Sequence, residues 1–305
     1  MSANTRHILK GRKIALDMSQ SPLHWIPGDA DSSHLVNGIH LLLPAGELWF
    51  CRVFNQALPL VSDDILAEDV KGFIRQEALH AQAHRHGERW LQANGMDIEK
   101  AKGRADLLFE KLLSDKPLGV ISLPTKALQK RWLIARVGLI ATIEHFTGFL
   151  GDWCMNSEGW DKADPVVADL FRWHLAEEVE HRHVAFELFE HLCKTQLGFY
   201  LSRQALMSIV FPLIIYMLTD TARQLAGQDP DQQARKLARK SVLRILWEME
   251  RQSRRYDHTP TFTLMVERTL RWLSPKFDPI NEGDTAQALA YIARSPAANA
   301  GAATA

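Results

Sequence analysis

Cysteine is scarce in this chain: Cys51, Cys154 and Cys193 are its 3 cysteines in 305 residues, far apart and without a CxxC pair. That excludes a disulfide framework and a thiolate zinc site. Net charge is missing too, with 36 Lys+Arg against 36 Asp+Glu. No long run of like charge occurs, so nothing in the electrostatics calls for nucleic acid or an anionic membrane surface as a partner. No stretch alternates apolar and polar residues long enough to mark a β-strand. Flavin, iron–sulfur and nucleotide motifs are also absent. The first thirty residues are polar and charged, without the apolar core of a secretory signal, and a cytoplasmic protein is the expectation. The most apolar run, Ala205–Leu218, is short for a bilayer span and contains Ser208 and Pro212. A core helix, lining a hydrophobic substrate channel, is the preferred reading for 205–218; membrane association and a homodimer interface are the alternatives.

What is present is helical periodicity almost from end to end, with a hydrophobic fraction of 46% that is ordinary for a folded protein. An irregular segment, 1–33, carries turn signals at Ser21-Pro22 and Pro27-Gly28. A first apolar segment runs from His34 to Leu58, its main helix started or kinked by Pro44. A helix of about thirty residues lies between the N-cap cluster Ser62-Asp63-Asp64 and the stop Asn94-Gly95. A shorter helix, 97–114, leads to the break at Leu123-Pro124; long helices over 125–155 and 161–194 follow. The domain reading is a bundle over 34–196, a helical extension over 197–296 with helices near 199–226, 230–255, 260–273 and 284–294, and a disordered small-residue tail over 297–305. The basic stretch Arg235–Arg255 reads as a solvated amphipathic face.

The unusual number is 13 histidines, and their placement carries the chemistry. Glu-x-x-His occurs three times, at Glu77/His80, Glu178/His181 and Glu180/His183. One such match is expected by chance, so the helix face decides its meaning. At about 100° per residue, Glu77 and His80 fall inside the apolar stripe of Leu66, Val70, Phe73, Ile74, Ala81 and Leu91, with His84 one turn on. Glu178, His181 and His174 fall inside the stripe of Val167, Phe171, Leu175, Ala185, Phe189 and Leu192. Glu180 and His183 share a polar side with Asp169 and Glu187, and that match is set aside.

Buried carboxylates are costly unless paired or metal-bound. Upstream of each inward pair stands a lone acid in an apolar helix. Glu47 is the only acidic residue from Ser32 to Ser62, and Glu144 the only one from Lys116 to Gly151. The chain therefore reads Glu…ExxH twice. The competing reading is a buried ion-pair network, with Glu144 paired to an arginine such as Arg136. Thr147, Gly148 and Gly151 leave room beside Glu144, for substrate or for close helix packing.

This order of residues resembles the ferritin-like di-iron carboxylate proteins, whose four-helix bundle takes one Glu from each of two helices and Glu-x-x-His from each of the other two. The spelling His174-x-x-x-Glu178-x-x-His181 is similar to that of the di-iron arylamine N-oxygenases, in which an extra histidine on the fourth helix adds a ligand. The segment Trp173–His181 also looks like a bacterial family labelled "predicted metal-dependent hydrolase". The resemblance covers residues 40–195. It implies an all-α, ferritin-like bundle whose metal ligands are Glu47, Glu77, His80, Glu144, His174, Glu178 and His181, with His84, Glu177 and Thr147 around them. It further implies two iron ions, manganese or zinc being compatible with the same donors. The implied activity is oxidation or oxygenation with O2 of a small, fairly apolar substrate, fed by an external electron donor. Metal-assisted hydrolysis at a dinuclear site is the alternative, and iron handling a more distant one.

Overall fold

The structure is a computed structural model and describes residues 7–303. The first six residues of the irregular segment and the last two of the tail lie outside the described residues. The chain is all-α, and no strand occurs among the described residues. From residue 7 to α1 (Ala30–Asn37) the backbone is irregular, as the turn residues predict. A short 3₁₀ turn then leads to α2 (Leu43–Ala57), where Pro44 occupies the first turn and so costs no helical hydrogen bond.

Helix α3 (Asp64–Ala93) is capped by Asp63, whose carboxylate accepts from the Ile65 and Leu66 N–H groups. α4 (Glu99–Asp106) continues as a wide π turn over Leu107–Leu112. α5 (Lys126–Asn156) starts at a Thr125 cap, and α6 (Pro165–His181) at an Asp164 cap with proline in the first position. The long helices α2, α3, α5 and α6 pack on one another around a shared interior: α2 against α3 and α5, α6 against α5 and α3.

The helix expected over 161–194 is two helices. α6 ends at His181 and α7 (Val184–Leu192) begins after a break at Arg182-His183. No glycine or proline announces the break. The Arg182 side chain turns away to donate to the carbonyls of Pro279, Ile280 and Gly283 at 2.9, 2.7 and 3.1 Å, so a distant loop sets it.

The remaining helices wrap the bundle: α8 (Gln196–Ala226) lies along α1 and α5, and α9 (Val242–Tyr256), α10 (Phe262–Trp272), α11 (Thr285–Arg294) and α12 (Pro296–Ala303) follow. The helix expected over 230–255 begins only at Val242, because Ala234–Arg239 form a 3₁₀ turn and Ser241 supplies the cap. The tail expected to be disordered is helical through Ala303. Its small residues serve contact: a Cβ on Gly301 would stand within 2.1 Å of the Lys13 carbonyl oxygen. Asp169 of α6 accepts from the Ala297 N–H at 2.8 Å and fixes where the tail lies.

Two helices, α5 and α8, have the length and apolar composition to cross a membrane. In α5 that stretch is mostly interior to the bundle. α8 is split along its length: Val210 and Ile215 are buried, whereas Ile209 and Tyr216 are 58% and 49% exposed. Its inner side, through Leu213, Ile214, Met217 and Leu218, lines a wholly apolar cavity of about 180 Å³.

Candidate metal centre

The four bundle helices carry the chemically distinctive side chains to one buried place. α2 supplies Glu47, α3 Glu77 and His80, α5 Glu144, and α6 His174, Glu178 and His181, none more than 2% exposed. Burial follows from register, since each lies on its helix's apolar stripe, at spacings of three and four that share a face. The donor atoms form two adjoining groups, Glu47/His80/His174 and Glu77/Glu144/Glu178/His181, and within each group all lie within 4.8 Å of one another.

Glu178 links the two groups. Its Oε1 is 2.7 Å from His174 Nε2 and 3.4 Å from His80 Nδ1, and its Oε2 is 3.2 Å from His181 Nε2. Glu77 Oε1 likewise stands 3.6 Å from His80 Nδ1 and 3.3 Å from His181 Nε2. Glu144 Oε2 reaches His181 Nε2 at 3.2 Å, and Glu47 Oε1 reaches His174 Nε2 at 3.6 Å.

The carboxylate–histidine contacts alone do not satisfy this cluster. Both carboxylate oxygens of Glu47, Glu77 and Glu144, and Nδ1 of His80, are buried without a hydrogen bond. Each such atom carries a desolvation cost of about 1–3 kcal/mol. The arginine alternative for Glu144 also fails, because Arg136 donates to Asp115 and Gln56, both at 2.8 Å. Unpartnered oxygens and imidazole nitrogens converging on one interior fit hard or borderline divalent cations, and no cysteine belongs to either donor group.

Electrostatics show the same crowding. Burial, then the neighbouring carboxylates, push the carboxyls of Glu47 and Glu144 well above the usual range, and Glu77 upward. Burial also opposes ionisation of Glu178, but His181 and His174 outweigh it and hold this carboxyl low. His80 and His181 are raised because their carboxylate partners outweigh burial.

A second layer orients these groups. Glu177, expected near the site, accepts from His80 Nε2–H at 2.9 Å and from Arg12 at 2.7 Å. His84 Nε2 is 2.8 Å from His174 Nδ1. Thr147 donates to the Glu144 main-chain carbonyl at 3.1 Å, and its side chain faces the apolar cavity rather than the carboxylates. Gly151 serves close packing: a Cβ there would meet the Leu175 carbonyl oxygen at 2.4 Å, so it leaves no room for substrate.

Several participants escape sequence reasoning. His40 Nδ1 lies 2.7 Å from His84 Nδ1, completing a file of three imidazoles that ends on Glu178. Burial, then His174, push His40 down to about 3, so it is neutral at ordinary pH. Gln76 is 3.0 Å from His181 Nδ1 and donates to Glu180 at 2.7 Å. Glu180 is buried, not solvent-facing, because the N-terminal segment covers it and Arg12 pairs with it at 2.7 Å. An additional histidine inside an apolar run was the available signal for His40; the Arg12 contact had none.

These features define an all-α protein with a buried carboxylate–histidine cluster able to hold metal. The family described as "Predicted metal-dependent hydrolase" matches residues 10–283, nearly the whole chain. The protein belongs to that family. No curated protein and no solved structure matches it.

Proposed function

We propose that Glu47, Glu77, His80, Glu144, His174, Glu178 and His181 hold two divalent metal ions, and that the protein uses them to hydrolyse a small, apolar substrate. The observation that carries this reading is the set of six buried carboxylate oxygens without hydrogen-bond partners, supplied by three different helices. The family description supports the hydrolytic class. The bundle of α2, α3, α5 and α6, each giving ligands, supports a ferritin-like arrangement.

When bound, paired ions supply Lewis acidity, lowering the pKa of a coordinated water and polarising the bond to be cleaved. The chain does the rest. Glu178 and Glu77 lie between the two donor groups and hold them at a fixed separation. The cavity lined by Gly46, Phe50, Phe146, Leu150, Val210 and Ile214 also touches His174, and the surface it exposes is apolar. It excludes water and admits an apolar body, an ester of a small apolar acid being the simplest case. With His174 Nε2 turned to the centre, its Nδ1–H donates to His84 Nε2, and His84 Nδ1–H to His40 Nδ1. This file holds the ring orientation.

A second reading is O2-dependent oxidation by two iron ions, drawing on an external electron donor. The same apolar cavity favours it, because no lysine or arginine lines it to receive a charged leaving group, and the carboxylate-rich set suits iron. Loading the full chain with Fe²⁺, Mn²⁺ or Zn²⁺ and assaying nitrophenyl esters of short alkanoic acids, with and without oxygen, separates the two. Metal-dependent, oxygen-indifferent turnover is expected. Oxygen consumption by the ferrous protein without ester cleavage establishes the second reading instead, and a chain that retains no metal overturns both.

A further inference from the structure

Away from the bundle centre, His24 of the N-terminal segment, His34 of α1 and Asp229 after α8 converge. We propose that these three form a separate, mononuclear site for zinc or a similar borderline divalent cation. Nε2 of His24 and Nε2 of His34 each lie 2.5 Å from the same oxygen, Asp229 Oδ2. The three donor atoms are within 4.8 Å of one another. His34 and Asp229 are fully buried, and the His24 side chain is 31% exposed.

The arrangement is that of ligands more than of a simple hydrogen-bonded tie. The imidazoles stand almost perpendicular, at 82° with centroids 5.5 Å apart, so two nitrogens approach one point from different directions. The other carboxylate oxygen accepts from the Asp231 N–H at 2.7 Å, which sets the orientation of the group as supporting bonds do at metal sites. Nδ1 of His34 is buried without a partner, so no other hydrogen bond explains the ring's placement. Burial lowers His34, keeping it neutral, the form that ligates. Burial disfavours the Asp229 anion, yet the bonds from His24, Asp231 and His34 overcome it and hold the group ionised.

Two histidines and one aspartate with a fourth position open is a common zinc donor set, with bonds of about 2.0–2.2 Å. A tetrahedron of that size spaces its donors by about 3.3 Å, so each imidazole must back away from Oδ2 by less than about 1 Å. His24, at the solvent side, has room to do so. It lies in the wall of a cavity of about 540 Å³, with Asp29, Asp31, Asp231, Lys240 and Glu248 also lining it. A water or small anionic ligand can therefore reach the open position. The site would also join the N-terminal segment and α1 to the end of α8.

The test is zinc stoichiometry of the full chain after equilibrium dialysis, comparing wild type with His24→Ala and Asp229→Asn. Each variant is expected to bind one zinc fewer per chain, while Glu144→Ala lowers the remaining count and leaves this ion in place. Co²⁺ loading of the Glu144→Ala protein should give the visible absorption of a four-coordinate site, lost on adding His24→Ala. His24 is on the rim, so its variant reports even where Asp229→Asn fails to fold. Equal stoichiometry in wild type and His24→Ala, with unchanged cobalt spectra, overturns the proposal.

Discussion

Replacing Gly87 by alanine tests how tightly the histidine file is built. Gly87 lies in α3 opposite His40, and a Cβ there would stand 2.4 Å from the ring's Cγ and Nδ1 and 2.5 Å from Cε1. Ordinary contact begins near 3.4 Å, so the imidazole must retreat by about 1 Å. It has nowhere to go: Phe171 and His84 stand at centroid distances of 4.7 and 5.0 Å. Retreat breaks the 2.7 Å contact with His84 and strands a buried nitrogen. Overpacking costs about 1–3 kcal/mol. The stranded group adds about 1–3 kcal/mol, and better helix propensity returns about 1 kcal/mol. The expected net loss is about 1–5 kcal/mol, read from urea denaturation of the metal-free protein. In a His40→Ala background the clash is gone, and the same change should stabilise by about 0.5–1 kcal/mol. This inversion of sign is the critical result. An equal effect in both backgrounds would refute the packing argument.

Three further outcomes are open to measurement. Glu144→Gln keeps the volume and removes a carboxyl whose ionisation burial and its neighbours oppose, and which must therefore take up a proton on folding, so the metal-free protein should gain about 1–2 kcal/mol in a denaturation curve at neutral pH while metal analysis shows diminished loading. Glu248 is partly buried against Lys240 and Arg244, both at 2.6 Å; burial works against its ionisation, yet these two cations hold its carboxyl below the usual range. A depressed acid stabilises above its unfolded value of about 4.3 and loses this as the pH falls through its folded value. The Glu248→Gln deficit, about 0.5–1 kcal/mol at neutral pH, should therefore shrink to nothing in acid, and a deficit that grows in acid would contradict the assignment. Burial raises the thiols of Cys154 to about 12 and Cys193 to about 11, so a thiol reagent at pH 8 should label the native chain at least about a hundredfold more slowly than the unfolded one, with half-buried Cys193 reacting before Cys154.

Legibility in the sequence divided along a physical line. Glu47 and Glu144 were readable because a lone acid in an apolar helix contradicts its surroundings, and Glu77, His80, Glu178 and His181 because helical periodicity alone assigns them a face. The bundle's long helices follow from the same periodicity and from caps such as Asp63 and Thr125. What stayed hidden depends on segments distant in the chain. The end of α6 is set by Arg182 reaching the carbonyls near Pro279. Glu180 and Asp169 look solvent-facing on a helical wheel, yet Arg12 covers the first and the Tyr291 hydroxyl reaches the second at 2.6 Å. The tail from 297 has little side-chain volume, which read as disorder but permits α12 to lie against the backbone at Lys13. Helical periodicity relates the residues of one helix to each other and carries no information about what later lies on its polar side.

The division of the central cluster among α2, α3, α5 and α6 also governs the order of events in the protein's life. Glu47 leaves the ribosome long before His181, and neither donor group is complete until α6 has emerged and docked. An ion held by the whole of either donor group therefore cannot be fully ligated before α6 docks. Any preference of the site for one metal is then a property of the docked bundle and not of its separate helices.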